Sequence, residues 1–139
     1  MPHMSSNSAA PDADHMLQEV LQRFPALDLA LVFGSVAKGQ QHEASDLDIA
    51  VGASRPLTVP EKMGIISALA DSTGRPVDLV DLKTVTEPLL GQIVRHGRRL
   101  LGGDKAYGQL ISKHLFEQAD FMPYQNRILL ERRAAWIGK

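Results

Sequence analysis

Three short apolar runs, set among longer amphipathic stretches, give this chain its outline. Leu27 to Phe33 (LDLALVF) is apolar apart from Asp28, rich in strand formers and short, the pattern of a buried strand. Asp46 to Ala53 opens in alternation, with Leu47, Ile49 and Val51 on one side and Asp46 and Asp48 on the other, which predicts a strand with one buried face. In the third run, Pro76 to Leu82 (PVDLVDL), Val77 and Leu79 can pack while Asp78 projects to the face they leave. Period two puts Asp81 on the other face from Asp78. A short fourth strand fits around Arg99 to Leu101.

Between the strands the period changes to that of helices. Leu17, Val20, Leu21 and Phe24 line one face of a helix expected over Asp14 to Phe24, capped by Asp12 or Asp14 and ended by Pro25. Ser54 to Pro56 reads as a loop. Thr58 with Glu61 has the form of a capping box for a helix reaching Asp71 and closed by Gly74. Thr84 with Glu87 repeats that form before a helix to about His96, closed by Gly97, with Pro88 near its start, where proline is tolerated. From Asp104 the pattern is helical again, with Tyr107, Leu110, Ile111, His114, Leu115 and Ala119 on one side as far as Met122-Pro123. A last amphipathic stretch, Tyr124 to Trp136, carries Ile128, Leu129, Ala135 and Trp136, with Trp136 read as a packing residue. The fold class is therefore α/β: a small mixed sheet flanked by helices, with a helical C-terminal third. Residues 1–11 read as a disordered tail and 12–139 as one domain.

Composition narrows the choices only slightly. With 139 residues, 44% of them hydrophobic, one domain with a real core is expected. No cysteine is present, so no disulfide framework or thiolate metal site is possible, and the cytoplasm is the expected compartment. The apolar stretches are of strand length, so no membrane span is expected. A formal charge of −1 provides no basic field, and direct nucleic-acid binding is not expected. Arg95, Arg98 and Arg99 are read as favourable charge at a helix end, and His42 as a solvated loop residue.

The candidate chemistry sits at the ends of the strands. Gly34-Ser35 follows the first strand directly. Glycine allows close backbone approach, and Ser35, if it opens a helical turn, offers a hydroxyl and free N–H groups to phosphate. Asp46 and Asp48 face one groove, and Asp78 joins them if its strand lies beside theirs. Three converging carboxylates repel one another, and a divalent cation neutralises them at neutral pH. Neither an EF-hand nor a Walker A loop fits. Counting from Asp46, Val51 and Leu57 stand where glycine and glutamate are needed, and Gly34 to Gly39 lacks the terminal Gly-Lys-Ser/Thr.

The stretch GSVAKGQQHEASDLDIAV, with ten residues between Gly34-Ser35 and Asp46-Leu47-Asp48, resembles the GS-x10-DxD signature of the DNA polymerase beta-type nucleotidyltransferases. It is most similar to their minimal members, the MNT antitoxins encoded beside HEPN-domain toxins, and PVDLVDL resembles theirs too. The resemblance implies a polymerase beta-like fold, with Gly34 and Ser35 binding the triphosphate of ATP. It implies Mg2+ (or Mn2+) on Asp46 and Asp48, and Asp78 as a third metal ligand or general base. Lys38 stands where many minimal members carry arginine, so it offers phosphate a point charge without a bidentate fork.

The implied activity is transfer of AMP to a tyrosine of the cognate HEPN ribonuclease toxin, which silences it. Too little chain follows Leu101 for a large acceptor-binding domain, so a partner must supply that surface. The alternatives are an antitoxin that neutralises its toxin by docking alone, and a stand-alone enzyme modifying a small hydroxyl compound.

Overall fold

The computed structural model describes residues 9–34 and 46–119, with backbone alone for 9–12. In chain order the elements are α1 (Ala9–Leu21), β1 (Leu27–Phe33), β2 (Leu47–Ala53), α2 (Val59–Thr73), β3 (Val77–Asp81), α3 (Leu89–His96) and β4 (Arg98–Leu101). Helical backbone over 104–119 forms α4. The four strands make one mixed sheet in the order β3-β2-β1-β4. β1 pairs antiparallel with β2 and with β4, whereas β2 and β3 run parallel.

Each element follows from its residues. Leu17, Val20 and Leu21 of α1 are buried at helical spacing. The helix stops one turn before the expected Phe24, because Arg23 and Phe24 donate to Val20 and Leu21, three residues back, and tighten the chain into a turn ahead of Pro25. It also starts earlier than expected, at Ala9, within the stretch read as a tail. Asp14 thus lies inside the helix and caps nothing; its carboxylate takes Arg98 at 2.8 Å. α2 begins as anticipated: Thr58 Oγ1 accepts from Glu61 N, and Glu61 Oε1 accepts from Thr58 N. It closes at Gly74, whose φ of 70° is left-handed backbone that favours glycine.

The box expected at Thr84 and Glu87 does not form. Pro88 is the N-cap residue of α3 and makes no side-chain cap bond. Glu87 instead accepts from Gly91 N at 3.2 Å and pairs with His114 of α4. On α4 the expected apolar side is also turned: Leu110 and His114 are buried, while Leu115 is exposed.

Two apolar layers sandwich the sheet. Beneath it, Leu17, Val20 and Leu21 of α1 and Ile65 and Leu69 of α2 meet Leu47, Ile49 and Val51. Above it, Leu90 and Ile93 of α3 and Leu110 of α4 meet Leu31, Phe33 and Ala50. Leu27 and Leu29 fall in opposite layers because the β1–β2 register slips between them, at Asp28. Asp81, which period two separates from Asp78, is buried and accepts from Leu57 N and Lys83 N, both at 2.8 Å. Among the described residues no helix is long and apolar enough to cross a membrane.

Candidate active site

β2 carries Leu47, Ile49 and Val51 into the lower layer, and the pleat turns Asp48 upward with Ala50. Asp48 stands opposite Phe33, the last residue of β1, and opposite Asp78 on the parallel strand β3. One carboxylate therefore has the end of β1 on one flank and a second carboxylate on the other. Asp46 lies just ahead of β2, exposed.

Gly34 comes directly after β1, with φ of 75°, a left-handed conformation that side chains resist. A Cβ built there would fall 2.1 Å from Asp48 Oδ2, so the backbone presses against the carboxylate as only glycine allows. Ser35, Lys38 and His42 lie outside the described residues.

The electrostatics follow from this crowding. Asp48 holds its proton above the usual aspartate range, first because burial penalises its charge, then because Asp78 and Asp46 repel it and a hydrogen bond with Asp78 favours the protonated form. Like charges placed this close are relieved by a cation. Among the described residues no three acidic or histidine side chains close around an ion by themselves. Magnesium keeps near-octahedral oxygen coordination by using one or two carboxylates together with substrate phosphates. The donors present are all hard carboxylate oxygens, which fit that ion.

One pair with chemical potential was not legible. Glu87 and His114 are both largely buried and bonded to each other, and 27 residues separate them. His114 on an otherwise apolar face was the available signal. The pair links the start of α3 to α4.

Residues 15–106 match the family model described as Polymerase beta, Nucleotidyltransferase. Protein adenylyltransferase MntA of Shewanella oneidensis is 40% identical over 78 residues, 56% of this chain and 56% of that protein, so the match spans little more than half of the relative's length. A crystal structure of a toxin-antitoxin with AMP-PNP superposes with a TM-score of 0.75 at 29% identity, covering 87% of this chain and 98% of that one. The complex of tri-AMPylated Shewanella oneidensis HEPN toxin with MNT antitoxin gives a TM-score of 0.59 at 25% identity, over 84% of this chain and 98% of that one.

Proposed function

Because the chain belongs to the polymerase beta nucleotidyltransferase family, we propose that it is a metal-dependent protein adenylyltransferase, the antitoxin of a HEPN/MNT pair, transferring AMP from ATP to a tyrosine of its toxin. Supporting the chemistry is one placement above all: Asp78 stands in register beside Asp48, whose carboxylate lies against the Gly34 backbone at the end of β1. A HEPN toxin as the acceptor is supported by similarity to MntA and to the AMPylated toxin complex, and the choice of tyrosine by the family resemblance alone. A cysteine-free composition suits the cytoplasm.

In this reading the phosphates of ATP lie along Gly34 and Ser35, with Lys38 nearby, and Asp46, Asp48 and Asp78 would hold magnesium or manganese. The bound cation supplies charge neutralisation across the reacting phosphates. The tyrosine oxygen attacks the α-phosphorus, and the bond from that phosphorus to the oxygen bridging the β-phosphate breaks. Pyrophosphate departs with the electron pair. Asp78, exposed and in register with Asp48, would take the phenolic proton.

Incubation of the chain with labelled ATP, magnesium and the HEPN protein of the adjacent gene, followed by mass spectrometry, tests the assignment. Label on a toxin tyrosine is expected, and Asp48→Asn should slow transfer by about 100-fold or more, the scale for losing one group that stabilises the transition state. Neutralisation of the toxin without transfer supports docking alone. Transfer to a small hydroxyl compound without the partner supports the stand-alone enzyme.

A further inference from the structure

The geometry points to the outer edge of β3 as the seat of the acceptor: an extended, tyrosine-bearing segment of the partner protein pairs there as a fifth strand and delivers its hydroxyl to Asp78. This rests on the adenylyl-transfer reading and adds to it how the substrate is held.

β3 ends the sheet on the side of the carboxylates. Leu47 N donates to Pro76 O, and Leu82 N donates to Val51 O, both at 2.8 Å. Residues 76, 78, 80 and 82 thus turn their backbone groups to β2, and Val77, Leu79 and Asp81 turn theirs outward. The Asp81 carbonyl already accepts from Thr84 N and Val85 N. Val77 and Leu79 remain, and among the described residues nothing pairs with their N–H or C=O groups.

An unpaired edge is a template for an added strand, whose main-chain bonds give affinity with little demand on sequence. The other edge is poorly suited: β4 has four residues, packs against α1, and its Arg98 is tied to Asp14. Strand addition at β3 would bring the acceptor backbone to about 4.8 Å from Asp78's own strand, within reach of a tyrosine ring.

Amide hydrogen exchange on the full chain tests this, using the HEPN protein of the adjacent gene, magnesium and an ATP analogue that cannot be cleaved between the α- and β-phosphates. Peptides spanning 76–82 should show at least two amides slowed by about tenfold or more in the complex, the scale of one hydrogen bond each. Free-chain exchange rates there, with toxin bound, overturn the inference. Leu79→Pro removes one outward N–H, a change that edge strands accommodate, and Leu79→Ala accounts for the lost side chain. The proline variant should lose about tenfold more kcat/KM toward the toxin than the alanine variant; equal losses overturn strand addition. Normal labelling with an unprotected edge sinks only this inference, whereas no labelling by the unaltered chain sinks the transferase reading with it.

Discussion

Gly34 and Asp48 illustrate how little space separates the end of β1 from the paired carboxylates. Gly34→Ala forces a side chain into left-handed backbone, at a cost of about 1–3 kcal/mol, and aims its Cβ at Asp48 Oδ2. The expected outcome is loss of nucleotide binding, measured by calorimetry, in a chain that still folds. Asp48→Asn should act in the opposite direction on stability. The folded chain keeps the Asp48 proton to higher pH than the unfolded chain does, so its stability falls as pH rises from about 3.8 through the raised value. In magnesium-free buffer at pH 7, Asp48→Asn should therefore raise Tm, and the gain should vanish below pH 3.8. Asp48 and Asp78 were legible because period two decides which face a strand residue takes. Their contact was not, since register between strands 30 residues apart is decided by tertiary pairing.

At the scale of elements, α2 depends on its first turn. Arg55 grips Glu61 bidentately at 2.8 Å, and the Arg55 and Thr58 hydrogen bonds hold the Glu61 carboxyl down at about 2. The stability this contributes is present above the ordinary value of 4.5 and is lost as pH falls toward 2. Urea titrations should accordingly find Glu61→Gln less stable at pH 7 and equal to the unaltered chain by pH 2. The same letters at Thr84 and Glu87 produced no cap, because a four-residue pattern carries no sign of His114 waiting on α4. Between these helices Gly91 permits close approach: a Cβ there would lie 2.9 Å from Glu87 Oε1 and 3.1 Å from His114 Cε1. Gly91→Ala should cost about 1–3 kcal/mol in denaturant melts, although alanine is the better helix former.

Across the whole molecule, β2 belongs to both apolar layers. Ile49 is fully buried below the sheet, next in sequence to Asp48 above it. Ile49→Ala should cost about 2–5 kcal/mol, read as a lower urea midpoint, through the cavity left between α1, α2 and the sheet. The mixed sheet and flanking helices were legible from period and turn residues. The slip at Asp28 and the turned face of α4 were not, for they answer to neighbours distant in sequence.

The shared direction of β2 and β3 also governs how this protein tolerates insertions and deletions. Length changes near Ser54 fall in a surface loop and leave the pairing of Asp48 with Asp78 intact. A single residue lost within Val77–Asp81 would rotate every later side chain to the opposite face. Lineages of this gene should therefore vary in loop length freely while keeping the spacing of those five residues unchanged.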